Sequence, residues 1–293
     1  MTLWRLHIRT SPGNGKTHDD VVNACMEKNV AGIGWPVSET PKSVEDYVDL
    51  ARREFEYSPA SIAFATKPQI YDLLWARDLY GVYYLGQIEG HWHYSDKPED
   101  LELDIPHQIP CRWVKVGNEE HVPGKIIACF RRGKAFQAIL DDKMEDFSKW
   151  LFNQKSNGIH YKIDEDFSSD ISADDFFKLI SADDCEDIVA LYLQVCEGYC
   201  LIPSTCKRDT AGYEFILKHR ETKTTAAVQV KQGCVDLDDT LSASADTVYL
   251  FSTYGQVAVE KENMVILNKE DLYRFVLSNK SLLPSKILYW FEL

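Results

Sequence analysis

Three side chains in the C-terminal half have the types and spacing for phosphodiester chemistry: Glu214, Gln229 and Lys231. A carboxylate can hold a divalent cation, and a lysine two residues beyond a metal-ligand position can set a water against a phosphate. The elements that carry them must bring them together. Residues 212–217 and 227–233 are short runs that alternate apolar and polar side chains, and residues 219–224 between them are wholly polar, which predicts two antiparallel strands. Period two then puts Val228 and Val230 on one side of the second strand and Gln229 and Lys231 on the other, while Glu214 has the opposite parity to Tyr213 and Phe215. Acid, amide and lysine can meet on one face of the hairpin. An ordinary solvated strand face carries the same residue types, so the flanking segments bear on the reading.

Upstream, residues 186–194 have the spacing of an amphipathic helix behind a Ser181-Ala182-Asp183-Asp184 cap, and residues 198–203 read as an edge strand. Glu214 followed by Gln229-Val230-Lys231, behind an acid-bearing helix and a Gly198-Tyr199 strand, resembles the PD-(D/E)XK nuclease core. The variant is the one with glutamine in place of the second acid, as in Mrr-like restriction endonucleases, and the likeness covers roughly residues 181 to 260. It implies an α/β restriction-endonuclease-like mixed sheet and Mg2+ or Mn2+ as cofactor. Glu214 and the Val230 carbonyl would hold the metal with Gln229 beside them, Lys231 would orient and polarise the attacking water, and Glu186 would be a helix-borne assisting acid. Glu186 at a helix start also has a plain reading, as a carboxylate that favours the positive end of the helix dipole. The family's metal-binding acid is usually Asp. Here Glu214 and Asp209 are the candidates, and Glu214 is preferred because its strand pairs directly with the Gln229 strand. One cut per active site implies a homodimer for double-strand cleavage.

Further on, residues 248–252 read as a buried strand and residues 268–277 as an amphipathic helix. The apolar run 287–291 is expected to pack down or to join a dimer contact.

At 293 residues the chain suits two domains. A hydrophobic fraction of 45% with 27% charged residues is that of a globular protein, and no apolar run approaches a membrane span. The first residues are too polar for a signal peptide, so the expected location is the cytoplasm. Eight cysteines contain no C-x-x-C pair, which argues for reduced thiols over a zinc knuckle or a redox motif. The net charge of −14 argues against a surface that coats nucleic acid at large. Charge is local, however: Lys125, Arg131, Arg132 and Lys134 form one basic cluster, and Lys207, Arg208, Lys218, Arg220 and Lys223 another.

The N-terminal half begins with an alternating strand over residues 3–9 and a Thr17-capped helix over 17–26. Between them, Gly13-Asn14-Gly15-Lys16-Thr17 looks like a phosphate loop. The full motif needs a glycine where the chain has Thr10, so a turn before a capped helix is preferred. Gly32 and Gly34 in a strand predict a bulge or a close backbone approach. His91 and His93 share a strand face without a third metal ligand, and read as rim residues.

Many short strands with turn signals predict a small β-barrel. The Gly32-Ile33-Gly34-Trp35 segment, the Trp75-Ala76-Arg77-Asp78 turn with Tyr83-Tyr84-Leu85-Gly86, and residues 107–113 followed by Val122-Pro123-Gly124 resemble the PUA-like superfamily, especially EVE-like domains that bind modified bases. The resemblance implies that Trp35, Trp75 and Trp113 wall a base pocket and that Asp78 accepts a hydrogen bond from a base amino group. The competing reading makes the tryptophans core residues.

The expected architecture is α+β with two domains: residues 1–140 as a PUA/EVE-like β-barrel with helices, 141–180 as an acidic helical linker, and 181–293 as the nuclease-like domain. The expected function is metal-dependent endonuclease action on DNA in restriction or anti-phage defence, directed by a modified base. Two alternatives stand beside it. One is a catalytically inactive nucleic-acid-binding protein that uses the nuclease fold as a dimerisation platform. The other is a sensor whose barrel holds a nucleotide signal.

Overall fold

The computed structural model describes residues 1–292 apart from 9–10, 14, 57–58, 132, 164–166, 168–170, 207–211, 239–244 and 259–260. The chain divides into two compact units, Met1–Val122 with Ile126–Phe167, and Pro123–Lys125 with Ser168–Leu293. The segment expected as a linker is therefore shared out, its first helix falling in the first unit and its second in the other.

In the first unit, short runs of alternating apolar residues become strands β1 (Leu3–Leu6), β2 (Val30–Ile33), β3 (Leu73–Arg77), β4 (Tyr83–Ile88), β5 (His93–Tyr94), β6 (His107–Gly117) and β7 (Phe136–Ile139). Their order is β2-β6-β4-β3-β1-β7, with β5 also on β6. β1 runs parallel to β3, and the other pairs are antiparallel. The sheet is mixed and curls into a half-barrel whose edges are β2 and β7, where a barrel was expected.

Helices do part of the closing. α1 (His18–Glu27), α2 (Val44–Glu54), α3 (Ala60–Thr66), α4 (Pro98–Glu102), α6 (Asp142–Ser156) and, from Ile126 on, α5 (Gly124–Arg131) intervene between or follow the strands. Val21, Val22 and Cys25 of α1 and Phe64 of α3 join Trp4, Leu6, Leu74, Ala76, Ile109 and Cys111 in one buried cluster. α1 starts at Thr17, whose hydroxyl accepts the Asp20 N–H while the Asp20 carboxylate accepts the Thr17 N–H. The Gly32 and Gly34 pair reflects close approach: a Cβ would lie 3.0 Å from Ile105 at Gly32 and 2.6 Å from the Asp104 carboxylate at Gly34.

The second unit holds α7 (Ala173–Leu179), α8 (Ala182–Val195), β8 (Tyr199–Leu201), β9 (Phe215–His219), β10 (Thr225–Lys231), β11 (Leu237–Asp238), β12 (Thr247–Ser252), β13 (Val257–Ala258), β14 (Met264–Ile266), α9 (Lys269–Ser278) and α10 (Ser285–Leu288). Its main sheet runs β14-β12-β10-β9-β8. β8, β9 and β10 are antiparallel, whereas β12 and β14 run parallel to β10, so the sheet is mixed. One face carries Phe215, Leu217, Val228, Val230, Tyr249 and Phe251, with Phe177 of α7 5.4 Å from the Phe251 ring and Tyr199 5.8 Å from Tyr249. The other holds a smaller cluster of Ala227, Val248 and Leu250 with Leu237 and Met264. The apolar C-terminal run packs down: Ile287 and Trp290 are buried, and Phe291 stacks on Phe176.

Trp75 is wholly enclosed in the first unit, and its indole N–H donates to Ser148 Oγ of α6 at 3.0 Å. Trp75→Ala should therefore cost about 3–5 kcal/mol of stability, seen as a lower urea midpoint for loss of near-ultraviolet signal. A midpoint unchanged from wild type would contradict this placement.

Candidate functional site

Pairing of β9 with β10 runs from Phe215 opposite Val228 to Lys218 opposite Thr225, and the Glu214 N–H extends it by donating to the Val228 carbonyl at 2.7 Å. Gln229 and Lys231 share one face of β10, opposite to Val228 and Val230, and Glu214, the residue before β9, meets Lys231 side chain to side chain. Lys231 Nζ lies 2.5 Å from Glu214 Oε1, with the lysine about one-third exposed and the glutamate 17% exposed. The Gln229 Oε1 atom is closed off from solvent and has no hydrogen-bond partner among the described residues. Carbonyls alternate along a strand, so the Val230 carbonyl turns toward the same edge as Val228, beyond the point where pairing with β9 stops.

Helix α8 supplies the second acid. Its start is fixed by a capping box between Ser181 and Asp184, and Lys286 bridges Asp184 at 2.6 Å and Asp187 at 3.2 Å. Glu186, half-buried, is left for other work. Burial raises its carboxyl to about 7, with the negative charges of Glu214 and Asp183 adding to the rise and Lys231 opposing it. Glu186, Glu214 and Lys231 thus form one electrostatic group. The helix dipole, which by itself favours an ionised acid at this end, is outweighed.

The donors of this group are hard oxygens: two carboxylates, the enclosed Gln229 amide oxygen and a main-chain carbonyl. They fit Mg2+, which takes one or two carboxylates and fills its octahedron with water. Among the described residues no three His, Cys, Asp or Glu side chains converge as a metal site, so two carboxylates are the most this group offers. Asp209, the other candidate acid, lies outside the described residues, as do Lys207, Arg208 and Arg132. Lys218, Arg220 and Lys223 are exposed on the β9–β10 hairpin, with Lys218 on the Glu214 face.

The expected base pocket needs correction. Leu74, Gly86 and Trp113 are partners across β3, β4 and β6, while Trp75 belongs to the neighbouring row with Leu85 and Val114. Adjacent rows face opposite sides, so Trp75 and Trp113 cannot wall one pocket. Trp75 is core, whereas Trp35 and Trp113 are half-buried against the inner cluster. The Trp113 indole donates to the Val30 carbonyl at 3.0 Å, and Trp35 has φ +71° with its carbonyl 2.9 Å from His107 Nε2. Tyr47, Trp92 and Tyr94 gather around His107, whose pKa burial lowers to about 4. His91 and His93 are exposed.

Asp78 spends its Oδ1 on the Tyr80 and Val82 N–H groups at 2.9 and 2.8 Å, and its Oδ2 is 3.4 Å from the Tyr84 hydroxyl. It also lines a cavity of about 510 Å³ with His7, Ile8, His18, Arg77, Leu79 and Phe130. Of those seven residues, the sequence pointed only to Asp78. The histidines flank the glycine-containing loop that precedes α1, and that placement is the only local signal they carry.

The chain matches no family model, no curated protein and no solved structure.

The raised Glu186 carboxyl has a consequence for stability. Its proton is held more tightly in the folded chain than at the ordinary value of 4.5, so the stabilisation it gives is complete below pH 4.5 and is lost as pH rises through about 7. Glu186→Gln should flatten this part of the urea-midpoint profile between pH 4.5 and 8. A variant profile parallel to that of wild type would show that Glu186 titrates normally.

Proposed function

We propose that the chain is a metal-dependent endonuclease acting on DNA, directed by a modified base read in the first unit. The observation that supports the nuclease half is the close Lys231–Glu214 pair, felt electrostatically by Glu186 of α8, with the enclosed Gln229 amide two residues before Lys231 on β10. Bound Mg2+ would supply charge neutralisation at the phosphate and a more acidic water. Glu214 and Gln229, with the Val230 carbonyl, would hold it.

The remaining work falls to side chains. The Lys231 ammonium has three donors, of which Glu214 uses one. The others can orient a water and a phosphate oxygen. Glu186, with a proton affinity near neutrality, suits acceptance of the proton that the attacking water loses. Exposed Lys218, Arg220 and Lys223 offer phosphate contacts along the hairpin. In the first unit the half-buried Trp35 and Trp113 are the remaining aromatic candidates for base contact, and Trp75 is withdrawn. The close Lys231–Glu214 pair favours a second reading, in which the acid is neutralised for good and the fold serves as a binding or dimerisation platform.

The test is Mg2+- or Mn2+-dependent cleavage of phage DNAs with ordinary and modified cytosines. Wild type should cut only the modified DNA, and Lys231→Ala and Glu214→Gln should each lose cleavage by about 100-fold or more with DNA binding retained. Cleavage of every DNA would remove the base-reading half. No cleavage by wild type with either metal would favour the platform.

A further inference from the structure

The 510 Å³ cavity of the first unit has polar demands that the fold does not meet. Arg77, at the end of β3, is held on two sides: its Nη2 is 3.4 Å from Glu119 Oε1, and its guanidinium lies 5.4 Å from the centre of the Tyr83 ring. Its Nε–H is shut off from solvent and has no acceptor among the described residues. The same holds for Nδ1 of His18, the first residue of α1. A buried polar atom left without a partner is unfavourable. Both residues line the same cavity. An oxyanion in the cavity can make charge-assisted bonds to the Arg77 guanidinium and, with the imidazole proton on Nδ1, accept from His18.

The rest of the lining restricts the anion. Ile8, Leu79 and Phe130 supply an apolar wall, and the Asp78 carboxylate keeps an oxygen whose only described partner is a long 3.4 Å contact from Tyr84. A bare inorganic anion would leave the wall uncovered and would be repelled by Asp78. A ligand with an anionic end, a flat ring and an amino or hydroxyl donor uses all three features. The volume lies within the ordinary range for small-molecule sites. The loop that resembles a phosphate loop is not the anion site, because the Thr17 and Asp20 side chains already occupy the start of α1.

We propose that this cavity is a nucleotide-binding site. The phosphate pairs with Arg77 and His18, the base lies against Phe130, Ile8 and Leu79, and Asp78 accepts from a base amino or sugar hydroxyl group. The site is separate from the tryptophans assigned to base contact and does not depend on the nuclease reading.

Isothermal titration of the full chain with the common nucleoside 5′-monophosphates, the matching nucleosides and inorganic phosphate tests it. At least one monophosphate should bind at one site per chain, with its nucleoside and inorganic phosphate each about tenfold weaker or more. Arg77→Met and His18→Ala should each weaken that binding about tenfold. His18 sits at a helix start and can be replaced without removing core packing, so it decides the question if the Arg77 variant does not fold. A 5′-phosphorylated single-stranded oligonucleotide beside its unphosphorylated twin separates the two sources of the ligand. Preference for the phosphorylated strand over free nucleotides supports the same site and makes a strand end the occupant. The proposal is overturned if neither nucleotide nor phosphorylated strand binds, if inorganic phosphate binds as tightly, or if His18→Ala binds like wild type.

Discussion

The register of β9 against β10 is the constraint on which the candidate site rests. A slip of one residue would carry Glu214 to the opposite face of the sheet and leave Gln229 and Lys231 without an acid. Two forces could hold the register. The Lys231–Glu214 pair is partly exposed, and such pairs contribute at most about 1 kcal/mol. Burial of Phe215, Leu217, Val228 and Val230 contributes on the order of 1.5–3 kcal/mol for each side chain. Burial wins by a wide margin. The site side chains are therefore positioned by the burial of the strands that carry them, and the ion pair reports the register without setting it.

The same division of labour explains Glu186. Helix α8 is pinned by its capping box, by Lys286 and by the burial of Cys185, Ile188, Val189 and Leu193. Those interactions together are worth far more than the cost of holding one carboxyl above its ordinary value, so the helix can keep Glu186 near Glu214 although like charges repel. A third carboxylate at position 229 would add to that repulsion. The neutral amide adds an oxygen donor without it.

In the first unit the half-barrel sorts its aromatic residues by row. Leu74 and Trp113 face the inner cluster, whereas Trp75 faces α6. Tyr47, Trp92 and Tyr94 gather on His107, which burial keeps neutral although its contact with the Trp35 carbonyl acts in the opposite direction. Cations collect elsewhere, at Arg77 beside Tyr83 and Glu119.

Sequence alone determined the local elements and their faces. The Thr17 and Ser181 caps, the β9–β10 hairpin and the parity of Gln229 and Lys231 all follow from interactions spanning a few residues or from the fixed period of a strand. Helices α3 and α5 and strand β7 were not legible, because segments of four to eight residues owe their form to what covers them. Only the tertiary structure decided that Trp75 and Trp113 lie on opposite sides, that Glu186 approaches Glu214, and that His18 and Arg77 share a cavity. Parity says which side chains lie together on a strand, but it cannot say what is packed against them. That depends on contacts between residues distant in the chain, where burial outweighs any local preference.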